Sequence, residues 1–148
     1  MLTKTLSALF TRDLNNLKTE IAAYKNEAVI WEVPEGIANS AGNLCLHLVG
    51  NLNGFIGAEL GKSGYIRQRD LEFSLKNILR IDLIEKIEAT IPMITKVIEQ
   101  LTDEQLNSEY PLLVFKEKTT TQYFLVHLAT HLSYHLGQIN YHRRLLDK

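Results

Sequence analysis

The sequence predicts an all-α protein built from four long helices. Apolar residues recur at three- and four-residue intervals over long stretches, which is the period of a helix packed on one side. Alternation with a period of two, which would indicate strands, is not evident. Residues suited to capping helices stand before two of these stretches. We therefore expect an all-α helical bundle, a fold in which inward side chains of facing helices build metal and cofactor sites.

The first predicted helix covers about residues 2–24, where the apolar positions are Leu2, Leu6, Phe10, Leu14, Leu17 and Ile21. The segment that follows ends in Asn39-Ser40, a pair that favours the start of a helix. The second helix is therefore expected over about residues 41–60.

The next stretch, residues 61–70, is rich in glycine and charge and predicts a surface loop. The third helix has a near-heptad pattern of apolar residues: Ile84, Ile87, Ile91, Ile94, Ile98 and Leu101. Pro92 interrupts it. An internal proline removes one backbone hydrogen bond and clashes with the carbonyl four residues back, so we predict a kink near residues 88–92 rather than a break.

A short apolar run over residues 112–115, which could be extended, precedes Thr119, where Gln122 completes a possible capping box. The final helix is expected to reach about Leu146. It carries four of the five histidines of the chain: His127, His131, His135 and His142. At about 100° per residue they share one arc with Phe124, Leu128, Leu132 and Ile139. Their side chains are therefore expected to point inward.

Two histidines four residues apart on a helix can bind one ion, because they are separated by about 6 Å along the axis and about 40° around it. The pair His131 and His135 is favoured over the pair His127 and His131, since Gln138 lies near the same arc and could support a ligand. His127 stays open between a residue at the edge of the site and a hydrogen-bonded core histidine.

A third ligand is available from the second helix, where Asn43 and Asn51 flank His47 at four residues on either side. Three neutral imidazoles without a fourth protein ligand describe an open site for zinc, nickel or iron(II) rather than magnesium or calcium. Asn43, Asn51, His127 and Gln138 are candidates for supporting a ligand or contacting substrate. Cys45 points about 160° away from His47 and is predicted to pack as a small hydrophobe.

Other conspicuous side chains are interpreted as structural. His142 is expected to make a surface or dimer contact. A set of charged residues is interpreted as a solvated ion-pair cluster, with binding of an anionic substrate as the alternative: Arg67, Arg69, Asp70 and Glu72. Three aromatic residues are expected to pack against other side chains: Trp31, Tyr65 and Tyr134.

Composition limits the classes of function. A chain of 148 residues with 45% hydrophobic content is expected to be a single domain, residues 1–148. A net charge of −1 without a basic stretch argues against a nucleic-acid partner, and no run of apolar residues is long enough to predict a membrane span. The single cysteine cannot form an internal disulfide, so a cytoplasmic location is expected.

Three segments resemble the DinB-like superfamily, most closely a largely uncharacterised branch of it: NSAGNLCLHLVGN at residues 39–51, RQRDLEF at residues 67–73 and THLSYHLGQINY at residues 130–141. The resemblance extends over nearly the whole chain. It implies a four-helix bundle of up-down-down-up topology that is usually a homodimer.

In that superfamily the metal ligands are one histidine of the second helix and an H-x-x-x-H pair of the fourth, which match His47, His131 and His135. The resemblance implies zinc or nickel as the divalent metal. Characterised relatives are thiol-dependent transferases or isomerases that use mycothiol or bacillithiol, and some are hydrolases. Many relatives have an arginine after the last ligand, where this chain has Leu136.

The leading hypothesis is a metal-dependent enzyme, a thiol S-transferase-like protein or a hydrolase, whose ion activates a bound thiol or water. Its partners would be a low-molecular-weight thiol and an electrophilic small molecule. No catalytic base is assigned, although His127 is near by spacing. The alternatives are a non-catalytic bundle that binds a metal or small ligand, and a structural dimer whose histidines only bond one another.

Overall fold

The computed structural model describes residues 2–148, and their regular structure is helical apart from one antiparallel bridge between Glu109 and Thr120. The α-helices are α1 (Leu2–Ala22), α2 (Ala41–Leu52), α3 (Arg69–Ser74), α4 (Arg80–Glu99), α5 (Asp103–Asn107) and α6 (Thr121–Leu146). A 3-10 helix, Glu27–Trp31, follows α1, and a π-helix, Asn53–Ala58, continues α2. The predicted all-α class is therefore confirmed. Within residues 2–148, no helix is both long and apolar enough to cross a membrane.

The four long helices share one apolar core. Helix α1 packs against α4 and α6, and α2 packs against the same two helices and against α3. The periodic face of α1 is buried as the sequence predicts, with five side chains fully covered or nearly so: Leu6, Phe10, Leu14, Leu17 and Ile21. Burial of these side chains is the main source of stability for a helix that has no capping acid or base at its ends.

Helix α2 begins where the sequence predicts, because the Ser40 hydroxyl accepts a hydrogen bond from the Asn43 amide at 3.1 Å. Its end differs from the prediction. The α-helical part stops at Leu52, and the chain continues as a π-helix that contains two glycines. The side-chain amide of Asn53 donates a hydrogen bond to the Val49 carbonyl at 2.8 Å. This bond competes with the backbone hydrogen bonds of a regular α-helix.

The prediction of a loop through residue 70 is wrong at its end, because α3 begins at Arg69. This helix has six residues and is too short to produce a periodic sequence signal. Tertiary contacts fix it instead. Asn43 of α2 donates from its side-chain amide to the carbonyls of Glu72 and Leu75, both at 2.9 Å. Asn43 therefore fastens α3 to α2.

Helix α4 continues through Pro92, so the prediction that the chain does not break there is confirmed, while the kink stays a prediction. Helix α6 begins one residue later than predicted. Its N-cap is Thr120, whose hydroxyl accepts from the Tyr123 amide at 3.3 Å. Thr119 does not cap the helix; its carbonyl accepts from the Tyr110 amide at 2.9 Å in the bridged segment.

The prediction that His142 makes a surface or dimer contact is wrong, since this residue is only 4% exposed. Its Nε2 lies 2.9 Å from the Glu32 carbonyl and its Nδ1 lies 2.8 Å from the Tyr24 hydroxyl. The segment that follows α1 folds over this end of α6 and covers the ring. Because the carbonyl can only accept, Nε2 carries the proton and Nδ1 accepts from tyrosine.

Of the three aromatic residues expected to pack, one does so fully. Trp31 is buried, and its ring lies against Gly42, where a β-carbon would collide with it. Tyr65 and Tyr134 are exposed and lie outside the core, although the Tyr134 ring contacts the His135 ring edge-on at 5.2 Å between centroids. Tyr134 lies on the side of α6 that the core does not cover. Its position around the helix, and not its aromatic character, therefore decides its exposure.

Candidate metal centre

Three imidazole rings from two helices meet at one point. The Nε2 atom of His131 lies 3.2 Å from Nε2 of His47 and 3.1 Å from Nε2 of His135. Their ligand atoms all lie within 4.8 Å of one another, and this group could hold a metal ion. The four-residue spacing on α6 places two of these rings side by side, and α2 brings the third across the core. The predicted convergence of these rings is therefore present.

A buried carboxylate orients the ring of His47. Glu72 Oε1 lies 3.0 Å from His47 Nδ1. A carboxylate only accepts, so Nδ1 carries the proton and donates, and the lone pair of Nε2 faces the other two histidines. Arg67 holds the same carboxylate with two bonds of 2.9 Å, from Nε to Oε2 and from Nη2 to Oε1.

The interpretation of this region as a solvated ion-pair cluster is wrong for Glu72, which is 6% exposed, and for the half-buried Arg67. For Arg69 and Asp70 the solvated part of the interpretation is confirmed, because both residues are exposed. Sequence reasoning therefore missed the residue that contacts a proposed ligand. A usable signal was Gly50, a glycine in the interior of a helix, which indicates close approach of another group.

Burial and hydrogen bonding act in opposite directions on the pKa of Glu72. Burial alone raises the pKa of a carboxyl group, but the hydrogen bonds from His47 and Arg67 outweigh it and hold the pKa below its usual value. Glu72 is therefore a carboxylate near neutral pH. It can accept from His47 and Arg67 at once because it presents two oxygens.

Of the histidines of α6, His131 and His135 are neutral near pH 7. Burial, reinforced by the neighbouring imidazoles of His135 and His47, lowers the pKa of His131 to about 4. Burial also lowers the pKa of His135, against an opposing hydrogen bond with Gln138. A neutral imidazole retains the lone pair that a metal ligand needs. Desolvation therefore favours the form of the side chain that can bind a cation.

Gln138 orients His135 in the way that Glu72 orients His47. Its Oε1 lies 2.7 Å from His135 Nδ1, one helical turn away. Nδ1 therefore donates to the amide oxygen, and Nε2 is left free to face His131. The sequence places Gln138 near this arc, and the contact lies where that placement predicts.

The remaining candidates lie around the three histidines without joining them. Asn43 holds the backbone of α3, as described above. Asn51 is buried, and its Oδ1 has no hydrogen-bond partner among residues 2–148. The His127 ring stacks on that of His131 at 6.2 Å between centroids and contacts Phe115 edge-on at 4.8 Å. His127 is thus adjacent to the site but outside the group of possible ligands.

Cys45 packs as the sequence predicts. It is fully buried on α2, and it does not belong to the group that could hold a metal. Burial raises the pKa of its thiol to about 12, so it is protonated near neutral pH. A protonated, enclosed thiol is neither a good ligand nor a good nucleophile.

The fold and the site together place this chain among helical proteins in which three histidines could hold one metal ion. The chain belongs to the family described as protein of unknown function (DUF1572), whose model matches residues 4–148. No curated protein matches the sequence.

Proposed function

We propose that this protein is a metal-dependent enzyme in which His47, His131 and His135 hold one divalent ion. The observation that carries the proposal is the meeting of their Nε2 atoms at separations of 3.1 and 3.2 Å. Two nitrogens bound at about 2.0–2.1 Å to one tetrahedral ion would lie about 3.3 Å apart. The donor atoms and their spacing therefore fit zinc or nickel.

Hydrogen bonding alone accounts less well for these contacts. His47 and His135 each donate through Nδ1, so the neutral form of each ring presents an unprotonated Nε2 atom to His131. One proton on His131 Nε2 can serve only one of the two, and the other contact would bring two lone pairs together. A cation between the three nitrogens satisfies all of them.

The site leaves a coordination position free for water or substrate, as catalytic metal sites do. The group of possible ligands among residues 2–148 contains three side chains, so a small molecule can complete the coordination shell. A divalent ion held there would lower the pKa of a bound thiol or water and supply a nucleophile near neutral pH. The protein contributes the orientation of the ligands through Glu72, Arg67 and Gln138.

The reaction class that we propose is thiol S-transfer to an electrophilic small molecule, or hydrolysis. The likeness of residues 39–51, 67–73 and 130–141 to DinB-like proteins supports it. We also propose the up-down-down-up four-helix bundle and the homodimer that this likeness implies. The packing of both α1 and α2 against α4 and α6 supports the bundle. Light scattering of the purified protein tests the dimer.

The decisive experiment compares wild type with His131→Ala, both purified without a histidine-rich tag. Elemental analysis and anomalous scattering should find an ion between the three histidines of wild type and a strong loss of metal in the variant. Rates of thiol transfer and ester hydrolysis should fall with the metal. His127→Ala is the matched control, because this neighbour on α6 lies outside the ligand group and should retain metal.

Equal rates in the metal-free variant and in wild type would eliminate the mechanism. Metal bound in wild type without turnover of any thiol or ester would favour the non-catalytic alternative. Wild-type protein that takes up neither zinc nor nickel would favour the purely hydrogen-bonded cluster.

A further inference from the structure

A cavity of about 490 Å³ opens beside His135, between α6 and the segment that leads into α2. His135 belongs both to its lining and to the group that could hold a metal. Sites for small organic molecules typically measure about 300–1,000 Å³. The cavity therefore has the size of a small-molecule site and adjoins the proposed metal centre.

The lining of the cavity is apolar and aromatic, with a few uncharged polar groups. Ile37, Leu44 and Leu145 supply aliphatic surface, and Tyr134 and Tyr141 supply aromatic surface. Such a composition suits the apolar body of a ligand, because burying apolar surface is favourable at about 25 cal/mol per Å². A molecule seated here would also cover two tyrosines that are each 64% exposed.

Charge is missing from this lining. Among the described residues that form it, none is aspartate, glutamate, lysine or arginine. The polar members include Asn39 and Gln138, which hydrogen-bond without charge. His142 also contributes, but both of its ring nitrogens are engaged by Tyr24 and Glu32.

None of the arginines near this part of the molecule belongs to the lining of the cavity. Arg143 Nε bonds Glu20 Oε2 at 2.7 Å, and the Arg144 guanidinium lies over the Tyr141 ring, 5.5 Å from its centroid. Arg67 is held by Glu72. A ligand carboxylate inside the cavity would therefore lose water without gaining a lining cation, which is unfavourable.

We propose that this cavity binds the apolar body of an uncharged small-molecule substrate, whose reactive group reaches the metal centre at His135. This proposal rests on the proposed function in one respect, which is that the reactive group of the substrate points toward the metal ion. It adds the class of substrate, which is a neutral molecule with an aromatic or aliphatic body rather than an acidic one. Gln138 lines the cavity and accepts a hydrogen bond from His135. The same side chain therefore borders the substrate site and orients the metal ligand His135.

Three hydroxamic acids test the proposal on zinc-loaded protein by calorimetry, because they share a metal-binding group and differ in body. Benzohydroxamic acid should bind about tenfold more tightly than acetohydroxamic acid, which has no aromatic body. A carboxylate at the far end of the ring, in 4-carboxybenzohydroxamic acid, should remove most of that gain. Equal affinity for all three compounds would overturn the proposal.

Variants on the exposed rim locate the binding without threatening the fold. Tyr141→Ala should remove the advantage of the aromatic compound and leave acetohydroxamic acid unchanged. Tyr123→Ala is the matched control, since Tyr123 is a tyrosine of α6 that is 59% exposed and does not line the cavity. Leu145→Lys should improve binding of the carboxylated compound. Loss of the advantage in Tyr123→Ala but not in Tyr141→Ala would place binding elsewhere and overturn the proposal.

An experiment on metal-free protein tests the cavity proposal independently of the proposed function. In nuclear magnetic resonance spectra, p-cresol, which lacks a metal-binding group, should shift the amides of Tyr141 and Leu145. If zinc binds the three histidines but p-cresol leaves these amides unshifted, the cavity proposal fails and the metal centre stands. If p-cresol shifts them and the protein takes up neither zinc nor nickel, the proposed function fails and the preference for a neutral body stands.

Discussion

The carboxylate of Glu72 lies against the α-carbon of Gly50, so closely that a β-carbon at residue 50 would overlap Glu72 Oε2. The same carboxylate bonds His47 Nδ1 at 3.0 Å. The absence of a side chain at Gly50 thus opens the space through which an acid of α3 reaches a histidine inside α2. A glycine in a helix interior costs about 0.8–1.0 kcal/mol relative to alanine, so its presence here has a structural reason.

Gly50→Ala should displace Glu72 and weaken zinc binding. Because partners that orient a metal ligand typically contribute about 10- to 100-fold in affinity, we expect a loss in that range. Competition titration with a chromophoric chelator measures it. Gly137→Ala is the matched control, because a β-carbon there would meet no heavy atom within 4 Å.

The control should raise the free energy of unfolding by up to about 1 kcal/mol and leave zinc affinity unchanged. Wild-type zinc affinity in Gly50→Ala would contradict the supporting role of the Glu72 carboxylate.

Glu72→Gln tests the carboxylate itself while keeping the size of the side chain. The amide can still accept from His47 Nδ1, but it lacks the negative charge that strengthens the bond and pairs with Arg67. Zinc affinity is expected to fall by about tenfold or more, measured by the same titration. Asp70→Asn, an exposed acid of the same helix, should have no effect. An equal loss in both variants would indicate a general effect of net charge.

The long helices and the histidine set could be predicted from sequence because both depend on local periodicity. Leu6, Phe10 and Leu14 recur at helical intervals, and a helix with that pattern buries them wherever it packs. The four-residue spacing of His131 and His135 likewise fixes their proximity within α6. Only the meeting with His47 requires tertiary structure. Its position between Asn43 and Asn51 on the second helix suggested it as a third ligand, and the resemblance to known proteins implied the same residue.

The features that were missed depend on contacts between distant segments. Glu72 is one of several charged residues in its stretch, and nothing local distinguishes it from the exposed Asp70. His142 is covered by a segment more than a hundred positions earlier in the chain, through Tyr24 and Glu32. Short helices leave too few residues for a periodic signal, so α3 and α5 were also beyond the reach of pattern analysis.

Cys45 should be unreactive in the native protein. It is fully buried, and burial raises the pKa of its thiol to about 12, so the reactive thiolate is scarce near neutral pH. Ellman's reagent should react slowly with native protein and at once in guanidinium chloride. Cys45→Ala should retain zinc, because the thiol lies outside the ligand group. Rapid reaction of the native thiol would show that α2 opens to solvent.

Glu20 should make a pH-dependent contribution to stability by joining α1 to α6. Its Oε2 accepts from Arg143 Nε and its Oε1 from the Asn140 amide, both at 2.7 Å. Partial burial alone raises the pKa of this carboxyl group, but these hydrogen bonds outweigh it and hold the pKa below its usual value. Stabilisation is therefore complete above the unfolded-chain pKa of about 4.3 and is lost as the pH falls through the lower folded-state pKa.

Glu20→Gln should lower the free energy of unfolding by about 1 kcal/mol near neutral pH, a modest value because both partners remain partly solvated. Urea unfolding across a pH series should show the difference from wild type shrinking once the pH falls below the unfolded-chain pKa of about 4.3, as the native carboxylate is protonated at still lower pH. Glu88→Gln is the control, since Glu88 pairs with Lys18 at 3.3 Å on the exposed surface. That variant should change stability by about 0.5 kcal/mol or less. A difference for Glu20→Gln that persisted unchanged in acid would show that shape, not charge, joins the two helices.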